Sequence, residues 1–301
     1  MKILAIQNRM GIGDTIIFLP FIKALSKKYN SPISLMVKEN SKADQYLHQT
    51  SYIDKIINLE RDNKNNKKHN GFTGVFNLIK DLKKYNFDKI FIFNSSLRFN
   101  LIARFSKIPE IYQYPLFNKT NQHIINLPKK FLKEKLNLDV YGDPEIQIND
   151  SLLPQTIKKF QIDKNKLNIL LGIGGSGPTK RIPAKTFLNV IDRILKEKKC
   201  KFFLATGKDS QEQSILNEIL DSKFKNVCHR LDDLTIKETL PIIKCCNLAI
   251  CNDSSFSHLS SALGIKTITL MADTPLIYGS YSSKMYPIIP DGETTVSHNT
   301  L

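Results

Sequence analysis

Residues 247–264 read NLAICNDSSFSHLSSALG, and a strand pattern is followed within a few positions by a helix pattern. The first five residues form an apolar run, which is typical of a buried parallel strand. Residues 257–263 have helical spacing and end at Gly264, a common helix terminator. Ser254 and Ser255 therefore lie where a strand is predicted to pass into a helix. Backbone N–H groups and the positive end of a helix dipole favour an anion site there, and an ordinary serine helix cap is the alternative.

Strand and helix patterns alternate over most of the chain. Strands are predicted at 3–6, 33–37, 55–59, 89–93, 167–171, 201–205, 226–229, 247–251 and 267–271. Helices are predicted at 15–29, 41–48 with Ser41 as its cap, 73–85, 97–105, 122–136, 184–195, 210–220, 236–244 and 257–263. This order predicts an α/β fold with helices on both faces of parallel sheets. A segment rich in Gly, Pro, Asp and Asn at 142–154 predicts a linker, which gives domains of 1–150 and 151–301.

The composition limits the class of protein. The chain has 301 residues and is 41% hydrophobic, which is enough for two ordinary cores. No run approaches the ~20 apolar residues that span a bilayer, and the first residues favour a strand over a secretion signal, so we expect a cytoplasmic protein. The five cysteines lack metal-binding spacing and are expected to be buried reduced thiols. A net charge of +16 indicates an anionic partner, such as nucleic acid, a membrane surface or a phosphorylated substrate, with a merely lysine-rich composition as the alternative.

A glycine-rich segment follows the strand predicted at 167–171. Residues 172–181 read GIGGSGPTKR, whose glycine spacing matches the dinucleotide-binding fingerprint. Pro178 follows the third glycine and no acidic residue ends the next strand, so a nicotinamide site is disfavoured. Pro178 also stands where a Walker A loop requires lysine. The remaining hypothesis is a loop whose amides, with Lys180 and Arg181, bind a diphosphate, and the alternative is a solvated basic turn.

Together these segments resemble glycosyltransferase family 9, the heptosyltransferase family of lipopolysaccharide core synthesis. The segments that carry the resemblance are 11–14 (GIGD), 87–98, 122–123 (QH), 179–181 (TKR), 207–212 (GKDSQE) and 252–264. The last is the most specific, and the chain departs from the family pattern at Ile182, Gln211 and Ser255. The resemblance implies a GT-B architecture, in which two Rossmann-like domains face each other across a cleft. The acceptor would bind the N-terminal domain and the nucleotide-sugar donor the C-terminal one.

The resemblance also implies a reaction and a set of residue roles. An acceptor hydroxyl attacks the anomeric carbon of an ADP-linked sugar, expected to be a heptose, with inversion and without a metal or cofactor. Asp14 would be the general base, with helix capping as its alternative, and Lys180 would stabilise the leaving diphosphate. Donor-binding residues would be Thr179, Lys180, Arg181, Glu212, Asp253, Ser254, Ser255 and His258. Acceptor-binding residues would be Gly13, Ser96, Arg98 and His123.

Some of these assignments have alternatives. His258 could be a plain buried histidine, and Asp253 is expected to shape its loop rather than touch the anion. The expected partners are a nucleotide-sugar and a glycolipid or oligosaccharide acceptor, and the basic surface also suits peripheral contact with the anionic inner face of the cell membrane. The sequence has no helix-turn-helix, zinc or RNA-binding signature, which disfavours a nucleic-acid partner. A nucleotide-sugar epimerase with the same layout, or a non-catalytic family member, are the other candidates.

Overall fold

The computed structural model describes residues 1–9, 11–61, 67–116, 124–272 and 276–291. The chain divides into two compact units, Met1–Gly142 and Asp143–Leu301, here called unit 1 and unit 2. Each unit is built on one sheet whose described strand pairs are all parallel. The predicted α/β fold class with parallel sheets is therefore confirmed in both units.

Unit 1 carries a sheet of five described strands in the order β3-β2-β1-β4-β5. The strands are β1 Ile3–Ile6, β2 Ile33–Lys38, β3 Ile53–Leu59, β4 Lys89–Ile92 and β5 Glu110–Gln113. The helices are α1 Ile12–Tyr29, α2 Ala43–Leu47, α3 Thr73–Lys83, α4 Leu97–Phe105 and α5 Asn126–Leu136. Strand β1 is fully buried at the centre, because all four of its residues are apolar. The strand order reverses between β1 and β4, so the loops after these two strands are neighbours at the carboxyl edge of the sheet.

Unit 2 carries a sheet of six described strands in the order β11-β10-β9-β6-β7-β8. The strands are β6 Leu167–Gly172, β7 Cys200–Ala205, β8 Cys228–Arg230, β9 Leu248–Asn252, β10 Thr267–Leu270 and β11 Met285–Ile288. The helices are α6 Leu152–Lys159, α7 Ala184–Glu197, α8 Ser210–Leu220, α9 Ile236–Lys244, α10 Ser255–Ala262 and α11 Ile277–Ser280. The order reverses between β6 and β9. The loops after those strands therefore form the switch point of unit 2, where ligands bind in open α/β sheets.

Helix boundaries differ from the sequence prediction near two functional candidates. Helix α1 begins at Ile12 rather than at residue 15, so Gly13 and Asp14 lie in its first turn and not in a loop. Gly11 makes this early start possible, because its φ of 100° is a conformation that other residues rarely adopt. The prediction of Ser41 as the cap of α2 is wrong. Ser41 ends a short 3-10 turn and is buried, and Lys42 precedes α2.

Several elements were not predicted, namely β5, α6, α11 and β11. Helix α6 begins in the last three residues of the predicted linker and continues beyond it. Pro154 occupies its first turn and is tolerated because the N–H groups of that turn have no intrahelical partner. Residues 122 and 123, the predicted start of α5, lie outside the described residues. Among the residues that the structure does describe, no helix is both long enough and apolar enough to cross a membrane.

Candidate functional site

An ion pair joins the two loops at the switch point of unit 2. Lys180 lies in the 3-10 turn Pro178–Lys180 after β6, and Asp253 follows β9 directly. The Lys180 ammonium donates to Asp253 Oδ2 over 2.7 Å. The side chain of Asp253 is only 4% exposed, whereas that of Lys180 keeps 18% of its surface in solvent. An ammonium has three protons, so the pair fixes its position while leaving donors for a ligand. The Asp253 carboxylate is thus bound to Lys180 and joins the loops after β6 and β9.

The start of α10 supplies polar donors beside this pair. Ser254 is the N-cap residue with an extended backbone, and Ser255 begins the helix. The Ser254 side chain makes no capping hydrogen bond, and its buried Oγ has no partner among the described residues. The alternative of an ordinary serine cap is therefore not what the structure contains. A free hydroxyl and the first N–H groups of a helix are suited to an anion.

His258 lies one turn into α10 and is held by a residue that sequence reasoning missed. Its Nδ1 is 2.7 Å from the hydroxyl of Tyr281, and the two rings stack with centroids 5.6 Å apart. Burial lowers the pKa of His258 to about 4, and the neighbouring Lys180 acts in the same direction, whereas the Asp253 carboxylate opposes the shift. The imidazole is therefore neutral at pH 7. Its Nε2 is 3.9 Å from Asp253 Oδ1, so His258 backs the ion pair from the interior, as the buried-histidine alternative describes.

Glu212 ties together two loops of the same edge. Its Oε1 accepts a hydrogen bond from the Gly175 amide over 2.7 Å. Its Oε2 accepts one from the Gly207 amide over 2.7 Å and one from the Thr206 hydroxyl over 3.3 Å. Both glycines are favoured by close approach, since a Cβ would lie 2.8 Å from the Lys180 carbonyl oxygen at Gly175 and 2.5 Å from Glu212 Oε2 at Gly207. The carboxylate predicted to bind the donor is thus engaged inside the protein, where it fixes the loops after β6 and β7.

The other two members of the basic segment have different surroundings. The Arg181 Nε donates to the Gly175 carbonyl over 2.9 Å, and its guanidinium also contacts Gln211 and lies 3.2 Å from Asp209 Oδ1. Arg181 is therefore a fixed positive charge that braces the loop. Thr179 is exposed in the turn directly before Lys180. The segment is not the freely solvated basic turn that was the alternative.

In unit 1, Asp14 lies at the corresponding switch point, after β1. The Arg9 Nε is 3.5 Å from Asp14 Oδ1, and the Asp14 side chain is 19% exposed. The N-cap position of α1 is Gly11, which has no side chain, and Asp14 is the acidic residue of the first turn. Gly13 precedes it in the same turn, and neither residue is fully buried.

The acceptor candidates after β4 have two different environments. Ser96 precedes α4, and its amide donates to Asn94 Oδ1 over 2.9 Å. Since β4 neighbours β1, this turn shares the sheet edge with the start of α1. The guanidinium of Arg98 instead donates to the carbonyls of Gly71 (2.7 Å) and His69 (2.8 Å), so it anchors the segment before α3. His123 lies outside the described residues. Within the described ranges, no group of three or more His, Cys, Asp or Glu side chains is arranged to hold a metal ion.

Comparison with known proteins gives one consistent result. The model of glycosyltransferase family 9 (heptosyltransferase) matches residues 75–289, more than two thirds of the chain. Lipopolysaccharide heptosyltransferase 1 of Campylobacter coli is 23% identical, covering 97% of this chain and 90% of that protein. Lipooligosaccharide heptosyltransferase 2 of Campylobacter jejuni is 28% identical, covering 81% and 77%. The solved structure of Escherichia coli ADP-heptose lps heptosyltransferase II superposes with a TM-score of 0.71 at 19% identity, covering 96% and 90%. At this identity the likeness concerns the fold, and it confirms the predicted GT-B fold class.

Proposed function

The chain belongs to glycosyltransferase family 9 and is a glycosyltransferase, and from this premise we propose that it transfers a heptose from an ADP-linked donor to a lipopolysaccharide-core acceptor. The donor and acceptor are inferred from the names of its relatives. The observation that carries the proposal is the Lys180–Asp253 ion pair, because it holds a cation at the sheet edge where an α/β unit binds its ligand.

Unit 2 supports the departure of a nucleoside diphosphate. As the bond from the anomeric carbon to the diphosphate breaks, its electron pair remains on the diphosphate oxygen. The Lys180 ammonium and the first N–H groups of α10 neutralise the charge that develops there, and the Ser254 hydroxyl adds a donor. Glu212 and Arg181 act as positioning residues that hold the Lys180 loop. Because protein cations fill this role, we propose that transfer needs no metal.

Unit 1 supports activation of the acceptor. The Asp14 carboxylate takes the proton of the acceptor hydroxyl while that oxygen bonds to the anomeric carbon, from the side opposite the departing diphosphate, which inverts the configuration. Arg9 holds the carboxylate from one side. Gly13 precedes Asp14 in the first turn of α1 and is proposed to contact the acceptor. Ser96, in the neighbouring turn, is proposed to bind the acceptor. Arg98 and His123 are proposed to contribute to the same acceptor site.

The test is to separate turnover from donor binding at Asp14. Asp14→Asn should lower turnover by about 10²–10⁴-fold, the usual range for a lost general base, with ADP affinity unchanged. Asp44→Asn is the matched control, because Asp44 is an exposed acid in the first turn of α2 and should leave both values unchanged. The assay follows ADP release from ADP-heptose with and without a lipopolysaccharide-core acceptor, in the presence and absence of EDTA.

Three results would contradict the proposal. Near-normal turnover of Asp14→Asn would remove the base assignment. Loss of activity in EDTA that returns with a divalent cation would remove metal independence. Conversion of the nucleotide-sugar when no acceptor is present would indicate an epimerase, and nucleotide binding with no turnover on any core acceptor would indicate a non-catalytic member.

A further inference from the structure

Helices α3 and α4 of unit 1 expose a group of large apolar side chains. Five side chains between 40% and 78% exposed lie on these helices or at their ends: Phe72, Phe76, Leu97, Leu101 and Phe105. We refer to these five as the α3–α4 face. A monomeric globular protein rarely leaves so many large apolar groups together in water, and such patches usually mark an interaction site.

Helical spacing places these residues on the outer side of each helix. Phe72 and Phe76 are four residues apart, and Phe72 already has helical backbone angles. Leu97, Leu101 and Phe105 follow at the same interval in α4. The sides that face the sheet carry separate buried residues: Leu78 and Leu82 of α3, and Phe99 and Ile102 of α4. The exposed residues are therefore an additional apolar surface and not part of the core.

The two stripes lie on neighbouring helices. Helices α3 and α4 pack against each other. The Arg98 guanidinium binds the carbonyl of Gly71, the residue before Phe72, which holds the first turn of α4 beside the start of α3. The rings of Phe72 and Phe76 are in edge contact with centroids 5.3 Å apart. The face is thus built on fixed elements and does not depend on a loop.

Positive charges border the apolar residues. Lys80 and Lys83 continue the stripe of Phe72 and Phe76 toward the C-terminus of α3, and both are exposed. Arg104 in the last turn of α4 and Lys107 just after it are also exposed. The surface therefore combines aromatic and aliphatic side chains with a cationic edge.

The one acidic residue within these two helices does not offset this charge. Asp81 lies on a different side of α3 from Phe76 and Lys80, and it is already ion-paired with Lys68 and with Lys84 over 2.9 Å. It also lies 3.3 Å from the His69 ring. Burial opposes ionisation of Asp81, but the hydrogen bonds from Lys68, Lys84 and His69 prevail and lower its pKa below the usual range.

We propose that the α3–α4 face docks this protein on a lipid bilayer that carries anionic headgroups. Phenylalanine and leucine insert at the boundary of headgroups and acyl chains, and the lysines and arginines contact the negative lipids. Two copies of this chain would bring like charges together if they met through this face, which disfavours self-association. The inference stands on this surface alone and does not require the proposed transfer reaction.

The experiment measures binding of the full chain to vesicles. Vesicles of phosphatidylcholine alone are compared with vesicles containing equal parts of phosphatidylcholine and phosphatidylglycerol, by co-sedimentation. We expect binding to the anionic vesicles only, weakening as salt is raised. Phe72→Ser/Phe76→Ser should reduce the partition coefficient by at least about tenfold, because two inserted aromatic rings are lost. Lys80→Gln/Lys83→Gln should reduce it by roughly tenfold or more, since each cation near the surface contributes about 1 kcal/mol.

Matched controls come from unit 2. Tyr286→Ser/Ile288→Ser removes two exposed apolar side chains of β11, and Lys158→Gln/Lys159→Gln removes two exposed lysines of α6. Both should bind vesicles as the unmodified chain does. Circular dichroism and the melting temperature confirm that each variant is folded. ADP binding by Phe72→Ser/Phe76→Ser should be unchanged. A result that contradicts membrane docking can therefore be distinguished from one that contradicts the proposed function.

Each contrary outcome overturns the inference. Equal binding of Phe72→Ser/Phe76→Ser and the unmodified chain would remove the face from the contact. If the unit 2 control variants lost as much vesicle binding, the binding would depend on the overall hydrophobicity or charge of the protein and not on the α3–α4 face. Absence of vesicle binding, together with a concentration-dependent dimer that Phe72→Ser/Phe76→Ser abolishes, would make the face an interface between copies of this chain.

Discussion

Breaking the Lys180–Asp253 pair should destabilise unit 2 and weaken ADP binding, and the two effects should be separable. Lys180→Met leaves the Asp253 carboxylate, only 4% exposed, without its 2.7 Å partner. Removing one member of a buried pair typically costs about 3–5 kcal/mol. Because Lys180 keeps 18% exposure and water can partly replace the ammonium, we expect about 2–3 kcal/mol here.

A second substitution should restore stability without restoring binding. Asp253→Asn in the Lys180→Met background removes the charge of the buried carboxylate, so the pair should show a coupling energy of about 1–3 kcal/mol. The ammonium that contacts the diphosphate is still absent. A hydrogen bond to a charged group contributes about 1.5–3 kcal/mol, so ADP affinity should fall about 10- to 100-fold in both the single and the double variant.

The assay combines denaturation with calorimetry. The chain contains no tryptophan, so guanidinium unfolding is followed by far-ultraviolet circular dichroism. ADP affinity is measured by isothermal titration. Lys196→Met is the matched control, because Lys196 is 72% exposed where it pairs over 2.7 Å with Asp192, itself 30% exposed, and its loss should leave stability nearly unchanged. The reasoning is refuted if Lys180→Met is as stable as the unmodified chain, if the double variant is the least stable of the set, or if ADP affinity is unchanged.

Three other outcomes follow from contacts in unit 2. Glu212→Gln weakens the bonds to the Gly175 and Gly207 amides and should cost about 1–3 kcal/mol in guanidinium unfolding, whereas Glu218→Gln, an exposed acid of the same helix, should change stability by less than about 0.5 kcal/mol. Because burial lowers the pKa of His258 from 6.5 to about 4, the unfolded chain binds a proton that the folded chain does not within this interval. Stability should therefore fall by up to about 3 kcal/mol as the pH drops through it, and a His258→Phe variant with the same pH dependence would contradict this assignment. Of the five free thiols, only Cys245 is not fully buried, so Ellman's reagent should label one thiol rapidly in the native protein and none rapidly in Cys245→Ser.

The sequence predicted helices and strands best where helix caps and apolar runs coincide with burial in the folded unit. The bounds predicted for α4, α8 and α9 are those observed. Helix α9 begins with a capping box between Thr235 and Glu238, and α8 begins with Asp209 accepting the Gln211 amide. The central strands are apolar runs because both of their faces are buried. These features need only neighbouring residues, so a single sequence contains them.

The missed elements lack such local signals. Strand β5 reads EIYQ and β11 reads MYPI, and each lies at the edge of its sheet, paired on one side among the strands that the structure describes. Edge strands tolerate polar residues and proline, so their patterns differ from those of buried strands. Helix α6 was missed because Pro154 and the surrounding Asp and Asn residues are typical of a linker. Its stability comes from packing against α9, which the sequence does not indicate.

For the site, residue types were predictable and their contacts were not. Lys180 and Asp253 are 73 residues apart, and their contact depends on β6 and β9 being neighbours in the sheet. Tyr281 follows His258 by 23 residues in a segment without a motif. Glu212 matched a family position, but its bonds to two loop amides follow from the geometry of the loops. Strand order, which decides all of these contacts, results from the packing of the whole unit.

The two switch points are similar in position but differ in how deeply the carboxylate is buried. Each carries an acidic side chain paired with a basic one: Asp14 with Arg9 in unit 1, and Asp253 with Lys180 in unit 2. In unit 2 the carboxylate is almost completely buried and the ammonium reaches solvent, so this edge offers a cation to a ligand. In unit 1 the Asp14 carboxylate is 19% exposed and its partner Arg9 is 45% exposed, so both members of this pair reach solvent, and we propose that the carboxylate accepts a proton from the acceptor. Transfer of a sugar from a diphosphate to a hydroxyl requires one group of each kind, since a proton must be removed from the acceptor while negative charge develops on the leaving group. A protein that only bound the nucleotide would need the unit 2 arrangement alone, so the partly exposed carboxylate of unit 1 is the feature that favours catalysis over simple binding.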